Sequence, residues 1–172
     1  MIILGVIHLK GLPGSPSNKL NLEEITELAQ NDIDNLSKAG VNGIIVENFG
    51  DVPFVKNDVS KRTVASLTSV IQNLNIDSKL KLGVNVLRND GIAALSIAEA
   101  TNADFVRINV LNNVMMFTDQ GIIEGEANKI AEFNKSLNKD IEIFADVFVK
   151  HAVPPEGSKI ENHTEELINR AG

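Results

Sequence analysis

No cysteine occurs in the 172 residues, which excludes both a disulfide framework and a thiolate site and fits a reducing compartment. Basic runs are missing as well. Lys and Arg number 16 against 23 Asp and Glu, for a formal charge of -7 and a pI near 5.0. A polyanion-binding surface needs clustered cations, so nucleic acid and anionic membrane surfaces are set aside as partners. Long apolar stretches are also lacking. The opening Met1 to His8 has no cationic flank and is too short to span a bilayer or serve as a signal segment. No direct membrane insertion is expected, and the expected location is cytoplasmic. What is present is 43% hydrophobic and 23% charged residues, the proportions of a globular domain long enough to bury a core.

Short apolar, β-branched runs alternate with helical patterns, as in a parallel sheet built from βα units. Strands are expected over residues 2–8, 43–48, 80–87, 105–110 and 141–149. The first helix opens on a capping box of Asn21 and Glu24, turns Leu22, Ile25, Ala29, Ile33 and Leu36 inward, and ends at Gly40. Val64, Leu67, Ile71 and Leu74 mark a second helix; Ile92, Leu95 and Ala98 a shorter third; Ile130, Phe133 and Leu137 a fourth. A fifth begins near Asn162 with Leu167 and Ile168 on its inner face. No linker divides residues 1–172, so one domain is expected.

The expected fold is α/β, a (β/α)8 TIM-barrel type. Such a barrel needs eight strands and about 250 residues, so the chain reads as truncated after about five βα units, at Ala171-Gly172 where a strand is due. A doubly wound open sheet is the alternative fold. Completion by another chain, including a homo-oligomer partner, is the alternative explanation of the stop.

In a barrel, side chains at the carboxyl ends of strands face the active-site mouth. Here those ends are polar. His8 ends the first strand, Glu47 and Asn48 the second, Asn85 and Arg88 the third, Arg107 and Asn109 the fourth, and Asp146, Lys150 and His151 the fifth. Strand parity puts Arg107 with Asn109, and Asp146 with Phe148 and Lys150. A charge within an apolar strand is costly unless paired, so Arg107 is expected either to pair with Glu47 or Asp146 structurally or to hold a ligand. Lys150 suits a Schiff base if desolvated, or a phosphate contact. His163, in a polar helix start, is expected at the surface.

Two loops add to the mouth. Residues 11–16, Gly-Leu-Pro-Gly-Ser-Pro, read either as a turn or as a cradle of N–H groups for an anion. Residues 115–121 form a long loop that places the Thr118 hydroxyl and the Asp119 carboxylate over the strand ends, as a lid or as packed irregular structure. The carboxylates and imidazoles of the mouth are of kinds that divalent metals accept, but no spacing such as H-E-x-x-H selects one, so the cofactor stays unknown with a divalent metal open.

The same stretches resemble the BtpA/SgcQ family, the group named for the photosystem I biogenesis protein BtpA. They are Gly5-Val6-Ile7-His8-Leu9 with Leu12-Pro13-Gly14-Ser15-Pro16, the run from Gly43 through Glu47-Asn48-Phe49-Gly50-Asp51, and Gly83-Val84-Asn85-Val86-Leu87-Arg88-Asn89-Asp90. Ala103-Asp104-Phe105-Val106-Arg107-Ile108-Asn109-Val110, Thr118-Asp119-Gln120-Gly121-Ile122-Ile123-Glu124-Gly125 and Phe144-Ala145-Asp146-Val147 with Lys150-His151-Ala152 follow in order. The resemblance implies a ribulose-phosphate-binding-type barrel whose members continue through further strands.

Two functions follow as expectations. One is an enzyme for a small phosphorylated or sugar-like metabolite, with Glu47, Asp146 and Lys150 as catalytic groups and His8, Asn48, Asn85, Arg88, Arg107, Asn109, Asp119 and His151 binding substrate. The other, suggested by the family name, is a non-enzymatic biogenesis or stability factor for photosystem I or another membrane complex. Inward-facing ionisable groups favour the enzyme, because an assembly factor needs only its outer surface.

Overall fold

A computed structural model describes residues 1–117 and 119–170. Strand β1 (Leu4–His8) leads through helix α1 (Leu22–Lys38) to β2 (Gly43–Glu47), α2 (Lys61–Gln72), β3 (Lys81–Asn85), α3 (Gly91–Thr101) and β4 (Phe105–Ile108). Then come β5 (Val114–Phe117), β6 (Gly121–Glu124), α4 (Ala127–Ser136), β7 (Glu142–Ala145), β8 (Ala152–Val153) and α5 (Ile160–Arg170). Five strands form one parallel sheet in the order β1-β2-β3-β4-β7. The expected α/β organisation is therefore present, with every parallel neighbour reached by a helical crossover.

The helices start where local chemistry dictates. Asn21 Oδ1 accepts the Glu24 N–H at 2.9 Å and Glu24 Oε2 accepts the Asn21 N–H at 2.8 Å, the capping box read from the sequence. Asp90 caps α3 through the Ala93 N–H at 2.9 Å and uses its second oxygen on the Val59 N–H at 2.8 Å, which ties two βα loops together.

Alternation sorts the sheet into two faces. Ile7, Ile44, Val46, Leu82, Val84, Val106 and Ile108 belong to the main core with Ile25, Ile33, Leu67, Leu95 and Ile97 of the helices. The other face carries Val6 and His8, Ile45 and Glu47, Gly83 and Asn85, Phe105 and Arg107, then Phe144. On it the Phe105 ring covers Gly83, where a Cβ would collide with the ring, and stacks on Phe144 with centroids 4.5 Å apart. Val6 and Phe144, on the two outermost strands, stay about 40% exposed.

Several elements depart from the sequence reading. The first strand begins at Leu4, with Met1 and Ile2 exposed, because no neighbouring strand pairs ahead of Gly43. The expected 80–87 and 105–110 strands shorten to β3 and β4, and the expected 141–149 strand ends at Ala145. Parity consequently does not extend to Lys150, which lies in an exposed turn. On α5, Leu167 packs on the core but Ile168 is 68% exposed. His163 is half-buried, edge-on to Phe148 and 3.3 Å from Asn113 Nδ2.

The largest departure is residues 115–121. Where a loop was expected, β5 (Val114–Phe117) and β6 (Gly121–Glu124) pair antiparallel, and β8 extends them into a three-stranded sheet with a small core of Val110, Met115, Phe117, Ile123 and Val149. Gly121, at φ +70°, supplies the left-handed residue of the turn. Thr118, assigned a place over the mouth, and the terminal Ala171-Gly172 lie outside the described residues. No helix among the described residues is long and apolar enough to cross a membrane.

Candidate functional site

The carboxyl edge of the parallel sheet holds a connected polar network on the face away from the helices. Arg107, from β4, lies between two carboxylates: its Nη1 donates to Glu47 Oε1 at 2.8 Å, its Nη2 to Asp146 Oδ2 at 2.8 Å and its Nε to Asp146 Oδ1 at 3.1 Å. This is bidentate on one side and single on the other, the geometry a guanidinium fork offers and an ammonium does not. The Asp146 hydrogen bonds, chiefly, hold the Arg107 pKa above its ordinary value, against the opposing effect of burial. Asn109 Nδ2 donates to Asp146 Oδ2 at 3.0 Å, and Asn85 Nδ2 donates to the Arg107 carbonyl at 2.6 Å and to Asn109 Oδ1 at 3.3 Å. The Asn85 Oδ1 is buried and accepts nothing among the described residues. Asn85, Arg107, Asn109 and Asp146 thus share one space, as strand parity requires.

On the other side of Glu47, His8 Nε2 stands 3.6 Å from Oε2. Its ring stacks on Phe49, centroids 4.2 Å apart and planes 20° from parallel. A cavity of about 210 Å³ opens here, lined by His8, Glu47, Arg88, Arg107, Lys150 and His151 among others. Its charged lining is dominated by cations and imidazoles.

Arg88 reaches this cavity as a buried side chain between Phe54, 4.3 Å from its guanidinium carbon, and Phe117, at 5.2 Å. Its Nε donates to Gln120 Oε1 at 3.3 Å and its Nη2 lies 3.7 Å from Asp119 Oδ2. Burial lowers its pKa, partly offset by Asp119 and Glu47. Asp119 itself is half exposed at the hairpin turn and reaches the site through Arg88.

Three further groups, among them Asn48, expected to bind substrate, take definite places. Asn48 is 1% exposed, its Oδ1 accepting the Leu87 N–H at 2.7 Å and its Nδ2 donating to Asp51 Oδ2 at 3.1 Å, so its amide is engaged by the fold. Lys150 and His151 line the cavity from the turn after β7; Lys150 is exposed, which removes the desolvation a Schiff-base lysine requires. The 11–16 loop is a turn: the Leu12 N–H is taken by Asp51 Oδ1 at 2.7 Å, the Ser15 N–H by the Leu12 carbonyl at 2.9 Å, and Gly11 packs on the Gly50 backbone too closely for a Cβ on Gly50. Among the described residues, no three His, Asp or Glu side chains cluster as metal ligands do.

Phe49, Phe54, Phe117 and Gln120 are site residues the sequence reading passed over. Phe49 had a signal, since it follows Glu47-Asn48 directly at a strand end. Phe54, Phe117 and Gln120 join through tertiary contacts with Arg88 that no local spacing encodes.

An uncharacterized protein of Thermococcus kodakarensis is 52% identical over 151 residues, covering 88% of this chain and 57% of that protein. The photosystem I biogenesis protein BtpA of Synechocystis is 44% identical over 152 residues, covering 88% and 53%. An uncharacterized mitochondrial protein of Caenorhabditis elegans is 32% identical over 170 residues, covering 94% and 60%. The chain spans about three-fifths of the length of the curated relatives it matches. No solved structure matches it. A family profile does so along residues 1–172, and by that match this chain belongs to the BtpA family.

Proposed function

We propose that the parallel sheet is part of a (β/α)8 barrel of the ribulose-phosphate-binding type, and that its carboxyl edge is an enzyme site for a small phosphorylated or sugar-like metabolite. The observation that carries this reading is the Arg107 network beside a cavity lined by Arg88, Lys150, His8 and His151. Consecutive parallel strand order, with helices on one face and polar side chains at the carboxyl edge of the other, supports the barrel. A site that gathers cations around two fixed carboxylates suits an anionic ligand bearing exchangeable protons. In this reading Glu47 and Asp146 are acid, base or orienting groups, and Arg88 and Lys150 hold the anion.

The second reading rests on the name of the Synechocystis relative, a photosystem I biogenesis protein. It makes this chain a non-enzymatic assembly factor acting through an outer surface. A thermal-shift and calorimetric screen of the full-length protein against sugar phosphates, with and without divalent metals, separates the two. A ligand whose stabilisation vanishes in Arg107→Ala and Asp146→Ala but persists in His163→Ala supports the enzyme. Equal shifts in all three folded variants, or none in the wild type, sink it.

A further inference from the structure

The site contains two carboxylates that Arg107 already occupies, and two imidazoles, His8 and His151, of which His8 stands beside one of those carboxylates. Glu47 is nearly fully buried, with Oε1 taken by Arg107 Nη1, so its remaining oxygen is fixed in direction. That oxygen faces His8 Nε2 at 3.6 Å, beyond hydrogen-bond length and within the range that tightens when a ligand closes over a site. His8 has half its side-chain surface open, lines the 210 Å³ cavity, and is held in plane by the Phe49 ring. A carboxylate anchored from behind, an imidazole in front of it and an aromatic wall restraining the ring give the orienter-and-base arrangement that makes histidine a proton acceptor.

We infer that His8, oriented by Glu47 and Phe49, is the group that takes a proton from a hydroxyl of an anionic, hydroxyl-bearing ligand in this cavity. The inference rests on the small-anion reading above and assigns within it the roles that the carboxylates alone leave open. Neutral His8 carries its proton on Nε2, toward Glu47, and keeps the Nδ1 lone pair free. In the step, the ligand O–H bond breaks, its electron pair stays on the oxygen, and a new N–H bond forms at Nδ1. The resulting imidazolium is balanced by Glu47, whose other oxygen accepts from Arg107, and the alkoxide by the cationic lining. Arg88, Arg107, Lys150 and His151 are the other titratable groups that face this cavity beside Glu47. Glu47 and Phe49 are positioning residues, since neither is offered the transferred proton.

Nitrogen-15 NMR of the full-length protein tests this without a known substrate, with the His8, His151 and His163 ring signals of residues 1–172 assigned one by one from His→Gln variants. The expected spectrum has neutral His8 protonated at Nε2. In Glu47→Gln that preference is lost and the two neutral tautomers of His8 mix, while the ring signals of His151 stay as in the wild type. A His8 ring protonated at Nδ1, or a tautomer preference unchanged in a folded Glu47→Gln protein, overturns the dyad; where that variant fails to fold, the wild-type ring state decides alone. With any aldose or ketose phosphate that the protein converts, His8→Gln loses at least about 100-fold in turnover and binds within about threefold of wild type. Undiminished turnover in His8→Gln overturns the role. A panel that yields no ligand at all overturns the small-anion reading instead, and is recognised by an intact His8 signature without a binding partner.

Discussion

Residues 6 and 7 sit side by side on β1 and face opposite fates. Ile7 is fully buried against the helices, while Val6 is 39% exposed on the opposite face. The contrast extends across the sheet: the helix face is apolar from β1 to β4, whereas the other face passes from Phe105 and Phe144 at its middle to Glu47, Arg107 and Asp146 at its carboxyl edge. The lesson is that one face supplies the free energy of folding and the other carries groups that folding alone does not require, the usual division between scaffold and site.

The largest test of that division is Ile7→Ala, expected to cost about 3 kcal/mol in urea unfolding through lost burial and a cavity. Val6→Thr, its neighbour, is expected to stay within about 0.5 kcal/mol. Comparable costs for the two would erase the distinction between faces. In the proposed full barrel the face bearing Val6 is interior, so the same Val6→Thr change in the full-length protein is expected to cost more than in residues 1–172.

Arg107→Met comes next, at about 2 kcal/mol, because it strands Glu47 in a buried position and removes the fork from Asp146. The side chain is 30% exposed, so water relieves part of the loss, and the figure sits below that for a fully buried pair. Arg107→Lys keeps the charge and loses the fork. It is expected to recover stability only partly, read from the same unfolding midpoints.

The smallest effects lie in pH dependence, where the two ends of the sheet should slope in opposite directions. At the carboxyl end, burial raises the Asp51 pKa more than the Leu12 N–H and the Asn48 amide lower it. A raised folded pKa contributes stability that is fully present below the unfolded value of about 3.9 and lost as pH rises through the folded value. At the amino end burial pushes Asp104 up, but Lys81 and the Leu82 N–H together outweigh it and leave the pKa lowered. Its contribution is present above that same unfolded value and disappears as pH falls through the folded one. Urea midpoints followed from acid to neutral pH should therefore show Asp51→Asn flattening the loss on the rising side and Asp104→Asn flattening the loss on the falling side. Matching slope changes in the two variants would contradict the assignment.

The main helices and strands were legible because each buries one apolar stripe or alternates against a neighbour, and such periods are local. Asn21 with Glu24 announced its helix in the same way, by a contact three residues long. The shared orientation of Asn85, Arg107, Asn109 and Asp146 also followed from parity. Where the reading failed, the cause was non-local: β5 is stabilised by β8, whose Val153 pairs with Met116 across 37 positions, and no window over residues 115–121 contains that partner. The fifth parallel strand was overextended because Phe148 and Val149 look like its continuation, yet Val149 packs into the second sheet's core.

By itself, then, the sequence determined the alternation of strand and helix, the acidic, cysteine-free surface and the set of ionisable residues at strand ends, since all of these depend on residue type and short spacing. Tertiary structure alone decided which of those residues touch. Arg107 meets Glu47 across 60 positions and Asp146 across 39, and Arg88 finds Phe54 from the loop after β2 and Phe117 from β5. Those pairings depend on the register and twist of five strands acting together; a charge placed in an apolar strand announces that it needs a partner, and strand-end position narrowed Arg107 to Glu47 or Asp146, but only the fold shows that it engages both.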